Sequence, residues 1–203
     1  MIKTLKIVTT GLCMIVLTAG CAQQDMQDNQ ADQEADQTTE MGSDTMQTDA
    51  SDTMDVTATV AVVHPTKDSD VMGTVTFTKE GDGVRVQGNI SGLKEGKHGF
   101  HIHQYGDCRA DDGSSAGGHY NPAGNDHAAR TDSVRHMGDM GNITADADGN
   151  ASVDYVDSVI DMNMIMGRAV VIHGGEDDLT SQPSGAAGAR MACGVIGIAN
   201  PDQ

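Results

Sequence analysis

Five of the eight histidines of this 203-residue chain fall between Gly99 and Asp139, at His101, His103, His119, His127 and His136. Asp139 adds a carboxylate directly behind the last of them. Neutral imidazole is the commonest side-chain ligand for copper and zinc, so this crowding points to a metal site. His101 and His103 lie in the run Phe100-His101-Ile102-His103. In a strand, residues i and i+2 share a face, so both imidazoles project together while Ile102 points the other way. The segment from Gly106 to Arg135 is rich in Gly, Asp, Asn and Ser and reads as a long loop, a kind that is usually functional inside a compact domain.

The elements that must position these groups begin after Val56. The runs Val56–Val63, Val71–Lys79 and Gly83–Ile90 are β-branched and partly alternating, and Glu80-Gly81-Asp82 is a hairpin signal between the last two. Leu93-Lys94-Glu95-Gly96 turns the chain into the strand of His101 and His103. Gly141–Asp146 and Ala151–Val156 flank Ala147-Asp148-Gly149-Asn150, which reads as another hairpin. Arg168–His173 and Cys193–Ala199 complete eight short strands with no convincing helix. The pattern predicts an all-β domain over 57–203, a β-sandwich or barrel. Aromatic residues are scarce, so the core is expected to be Val, Ile, Leu, Met and Ala.

The first 56 residues carry an address. Lys3 and Lys6 precede an apolar run from Ile7 to Ala19, too short for an ordinary membrane span, and residues 1–20 read as a signal peptide. The sequence Leu17-Thr18-Ala19-Gly20-Cys21 resembles a bacterial lipoprotein signal, in which Cys21 would be lipidated. The aliphatic residue stands one place earlier than is usual there. An ordinary secretory signal cut nearby is the other reading, and both export the chain, to the periplasm or cell envelope. Residues 21–56 form an acidic stretch without Lys, Arg or aromatic residues, expected to be a disordered tether between a membrane anchor at Cys21 and the domain. Cys13 leaves with the signal. Cys108 and Cys193 remain as an even pair in an exported chain, which favours a disulfide over two free thiols.

With these residues in view, the chain resembles the copper/zinc superoxide dismutases. The matching pieces are Gly99-Phe100-His101-Ile102-His103, then Ser115-Ala116-Gly117-Gly118-His119-Tyr120-Asn121-Pro122 with His127, then Arg135-His136-Met137-Gly138-Asp139-Met140-Gly141-Asn142. Gly167-Arg168-Ala169-Val170-Val171-Ile172-His173 and the run from Gly188 to Gly197 follow, so that residues 57–199 are matched in order. The resemblance implies an eight-stranded Greek-key β-barrel with long metal-binding and active-site loops. It implies copper on His101, His103, His119 and His173, and zinc on His119, His127, His136 and Asp139, with His119 bridging both. An all-imidazole set suits a redox-active copper, and three imidazoles with a carboxylate suit tetrahedral zinc. Asp177 matches a carboxylate that hydrogen-bonds one ligand of each site. Arg190 matches the arginine beside the copper, where a guanidinium would dock the superoxide anion. The reaction implied is disproportionation of superoxide to dioxygen and hydrogen peroxide by Cu(II)/Cu(I) cycling. His119 would release copper and take a proton in the reduced state. His98 matches a histidine that braces loops without binding metal, and His64 is expected at the surface.

The formal net charge of −18 excludes nucleic acid as a partner. It also opposes an anionic substrate, so attraction must be focused at the copper mouth. The loop from Asp178 to Ala189 lacks the lysine that many members of the family place there, which leaves steering to Arg190, with Lys97 or Arg109 as further candidates. A homodimer is compatible with such a barrel. Two other classes fit the same residues: a protein that buffers or delivers copper or zinc without turnover, and a β-sandwich whose metals only stabilise it.

Overall fold

The computed structural model describes residues 56–200 and 202. The expected signal, Cys21 and nearly all of the acidic tether lie outside them. Eight strands follow one another: β1 Ala58–Pro65, β2 Met72–Glu80, β3 Gly83–Ser91, β4 Gly96–His103, β5 Asp139–Ala145, β6 Ala151–Asp157, β7 Ala169–His173 and β8 Arg190–Ile198. They form one sheet in the order β5-β4-β7-β8-β1-β2-β3-β6, antiparallel at every step, which curls into a nearly closed barrel. Because β3 pairs with β6 and β4 with β7, the β3–β4 and β6–β7 connections both cross between the halves of the barrel, the Greek-key arrangement. The fold class expected from the sequence is the one observed.

Alternation builds the core. Ala61 and Val63, Val75 and Phe77, Val84 and Val86 point inward from the β1-β2-β3 meander, and Phe100, Ile102, Val170 and Ile172 join them from β4 and β7. The outward faces of β4 and β7 are buried as well, because the long loops cover them. His101 and His103 lie there, and Ala116, Ala169, Val171 and Cys193 form a second small apolar cluster. Gly81, at a φ of 59°, turns β2 into β3 as the sequence predicts. Among the described residues, helix is confined to a 3-10 turn at Ser114–Ala116 and a single turn, α1, at Met162–Ile165, capped by Asp161 Oδ1 accepting from the Asn163 N–H at 2.9 Å.

Three sequence expectations change. Ala147–Asn150 is a turn, with the Asp146 N–H donating to Asn150 O at 2.9 Å, but β5 and β6 do not form a hairpin. They are the two end strands of the sheet, laddered to β4 and β3, so this turn spans the open seam of the barrel. Strand β5 starts at Asp139 and β8 at Arg190, earlier than expected, so both side chains sit on strand ends rather than in loops. The β8 strand begins there because Arg190 pairs with His173 across a register shift after Ile172.

Candidate metal centre

The i, i+2 spacing on β4 places His101 and His103 on the loop-covered face, with Ile102 in the core. His173 ends the neighbouring β7, its ring stacked on that of His103 with centroids 5.3 Å apart. The loop brings in His119 by extending the sheet: Tyr120 N–H donates to Ile102 O at 2.8 Å, and Ile102 N–H donates to Gly138 O at 2.9 Å. Gly138 lies so close to Ile102 O that a Cβ would collide with it, so only glycine permits this approach.

Each imidazole is turned by the bond that its other nitrogen makes. Asp177 Oδ2 holds His101 Nε2 at 2.8 Å, Gly117 O holds His103 Nδ1 at 2.9 Å and Gly188 O holds His173 Nδ1 at 3.2 Å. Nδ1 of His101 and Nε2 of His103, His119 and His173 therefore face one another, with His103 Nε2 and His173 Nε2 3.2 Å apart. In the second group, Asp139 Oδ1 stands 2.8, 2.9 and 3.1 Å from Nδ1 of His119, His127 and His136. The donor atoms within each set of four lie within 4.8 Å of one another, and His119 belongs to both sets. Its two nitrogens serve one set each.

Whether these donors suit metal ions is tested by what else satisfies them. His101 Nδ1, His119 Nε2, His127 Nδ1 and His136 Nδ1 are buried without a hydrogen-bond partner. For His127 and His136 this holds although Asp139 Oδ1 lies 2.9 and 3.1 Å away. Buried polar atoms left bare are costly, and one cation in each set is the group that satisfies them. Four imidazoles suit copper, and three imidazoles with one carboxylate suit zinc, so both donor sets fit.

Burial drives the electrostatics of the metal-free site. It lowers His101 to about 4 against the opposing pull of Asp177, lowers His173 to about 3 with help from His101, and also lowers His103 well below its ordinary value, with help from His173. These rings are neutral and free to ligate at pH 7. Burial also lowers His136. His127 differs: burial opposes its charge, but it lies between Asp139 and Asp177, which together raise it to about 9. Burial alone would raise Asp139 and Asp177, but their histidine hydrogen bonds hold both well below the usual carboxylate range.

Asp177 connects the two sets, since its Oδ1 also accepts from His127 Nε2 at 2.9 Å. Asn142 fixes it in turn, accepting the Asp177 N–H and donating to its carbonyl, each at 2.8 Å. Arg190 is half-buried. Nη1 donates to Gly113 O and Nη2 to Gly117 O, both at 2.6 Å, and burial lowers its pKa. Cys108 and Cys193 form a disulfide with Cα atoms 5.7 Å apart, fastening the loop that carries those carbonyls to β8. His98 bonds His173 O and Lys94 O at 2.9 and 2.8 Å, and His64 is exposed. Neither enters a donor set. Lys97 is paired with Glu176 and Arg109 with Asp107, each at 2.7 Å, so both candidates for steering are neutralised by neighbours.

Sequence reasoning missed several supports. Gln182 grips the His127 backbone, accepting its N–H at 2.7 Å and donating to its carbonyl at 2.8 Å. Buried Arg135 donates to both carboxylate oxygens of Asp157 at 2.6 and 2.7 Å and to the carbonyl of the ligand candidate His136 at 2.9 Å. An arginine immediately before a ligand histidine was the signal available.

A Greek-key barrel with two histidine-rich donor sets joined through one imidazole defines a dinuclear metalloprotein. The model of the copper/zinc superoxide dismutase (SODC) family matches residues 71–196. The chain belongs to that family, whose members bind copper and zinc. A crystal structure described as that of the clock protein EA4 is similar, at 39% identity and a TM-score of 0.64, the match covering 70% of this chain and 95% of that one.

Proposed function

We propose that this protein is an exported copper/zinc superoxide dismutase that protects the cell envelope from superoxide. The observation that carries the reading is the sharing of His119 between an all-imidazole donor set and a set of three imidazoles and Asp139. His101, His103, His119 and His173 would hold copper, which would supply the one-electron chemistry for converting superoxide to dioxygen and hydrogen peroxide, and His119, His127, His136 and Asp139 would hold zinc.

The chain supplies the rest. Arg190, fixed through two carbonyls, offers the positive charge that docks the anion and disfavours neutral molecules. His119 Nε2 is the buried, unpartnered atom at which a proton is taken up and returned, while Nδ1 stays toward Asp139. Asp177 keeps His101 and His127 in the tautomers that leave each Nδ1 free to ligate.

The leader, Cys21 and the acidic stretch support a lipid-anchored protein of the periplasm or cell envelope. Val62 on β1 and Val195 and Ile198 on the adjacent β8 are 46–52% exposed, which supports a homodimer through that apolar strip. The proposed activity is tested by loading the full chain with copper and zinc and following superoxide consumption. Turnover with one ion of each per chain is expected. Tight binding of both ions without turnover would make the protein a metal carrier instead.

A further inference from the structure

The loop that bears His127 and His136 must be held against a part of the barrel that has no ladder of its own. Strands β5 and β6 are the two ends of the sheet, and among the described residues no strand pairing joins them. The connecting turn closes the seam at one end. At the other end stand Asp139, first in β5, and Asp157, last in β6. Two arginines of the loop bridge this end. Arg135 reaches Asp157, as described above, and its Nε donates to Arg130 O at 3.1 Å. The Arg130 guanidinium lies over the Tyr155 ring of β6, 4.0 Å from its centroid. Tyr155 packs against the core on the inner face of β6, and its hydroxyl is buried without a partner.

We propose that Arg130 and Tyr155 are a positioning pair for the second donor set, holding the loop across the barrel seam so that His127 and His136 keep their aim. The pair acts through the backbone: the Arg130 carbonyl and the His136 carbonyl are held by the same Arg135 guanidinium. A cation over an aromatic ring is attracted by its quadrupole, more strongly when partly desolvated, as here. Arg130 sits three residues after His127, so release of its side chain frees the segment between the two histidines. Of the first donor set, His101 and His103 stand on β4 and His173 on β7, and His119 alone is shared with the second set. The pair therefore distinguishes between the two centres.

This rests on the metal reading of the site, and the test separates the two. Zinc affinity of the full chain is measured by chelator competition, and copper affinity in parallel, for wild type, Arg130→Ala, Tyr155→Leu, Tyr155→Phe and the double variant Arg130→Ala/Tyr155→Leu. Arg130→Ala and Tyr155→Leu are each expected to weaken zinc binding about tenfold, the size usual for residues that orient ligands, with copper affinity unchanged. The double variant should lose no more than the larger single loss, and Tyr155→Phe, which keeps the ring, should bind zinc as wild type does. Arg130 lies partly exposed in a loop, so its variant leaves the core intact. Equal zinc affinity across the series would overturn the proposal, as would equal losses of zinc and copper. Absence of zinc binding in the wild type would overturn the metal reading itself.

Discussion

Arg190 and His103 share one acceptor: the carbonyl of Gly117 receives Nη2 of the arginine at 2.6 Å and Nδ1 of the histidine at 2.9 Å. The cation proposed to dock the substrate is thereby fixed to a ring of the proposed copper set through a single oxygen. Gly117 has a φ of 76° and lies against the ring of Tyr105, so glycine is needed to present that oxygen.

The disulfide holds this arrangement from outside. It joins residues 85 apart in sequence, and in the chain-entropy treatment a loop of that size stabilises the fold by about 4.5 kcal/mol. Cys108→Ser paired with Cys193→Ser is predicted to lose stability of that order in denaturant titrations, and to lose superoxide turnover at denaturant levels that leave the wild type active. Unchanged stability would show that the loop is held by its hydrogen bonds alone.

Asp177 bonds His101 of one set and His127 of the other, at 2.8 and 2.9 Å. Asp177→Asn cannot accept from both rings with its oxygen alone. Zinc affinity is predicted to fall roughly 10- to 100-fold, with a smaller loss at the copper set, where His103 and His173 are held by backbone carbonyls. Chelator competition on the variant checks this.

Without metals, the buried histidines set the pH dependence. His101, lowered to about 4, and His173, lowered to about 3, stay neutral in the fold while the unfolded chain takes up protons below 6.5. Stability is therefore lost as pH falls from 6.5 toward 4 and below. His127, raised to about 9, acts in the opposite sense: its contribution is full below 6.5 and is lost as pH rises through 9. Stability of chelator-stripped protein should accordingly peak near pH 6.5, read as the urea midpoint against pH. A midpoint that rises between pH 6.5 and 4 would contradict the burial of these rings.

Much of this was legible in the sequence because the signals were local. The alternation of His101 and His103 around Ile102, and the runs of β-branched residues, state their faces directly. Long-range partners were not legible. A turn signal at Ala147–Asn150 cannot say that the strands beside it ladder elsewhere, and nothing in Arg135 or Arg130 announces Asp157 and Tyr155 across the seam. The pairing of Lys97 with Glu176 and of Arg109 with Asp107 was equally hidden, since an acidic chain offers every cation many carboxylates.

That pairing bears on salt. With both candidate steering cations neutralised and a net charge of −18, attraction to the anion rests on Arg190 against a repulsive background. Added salt screens repulsion as well as attraction, so turnover should fall only slightly, or rise, between low and physiological ionic strength. A steep fall would show strong attraction from groups other than these.

The most direct measurement is superoxide consumption by the full chain loaded with copper and zinc, with Arg190→Ala and Arg190→Lys beside it. Rapid turnover is predicted for the wild type, with a drop of at least about tenfold for Arg190→Ala and partial recovery for Arg190→Lys, whose single ammonium restores charge without the paired donors. A fully metallated wild type that consumes no superoxide, or an Arg190→Ala variant as fast as the wild type, would contradict the account.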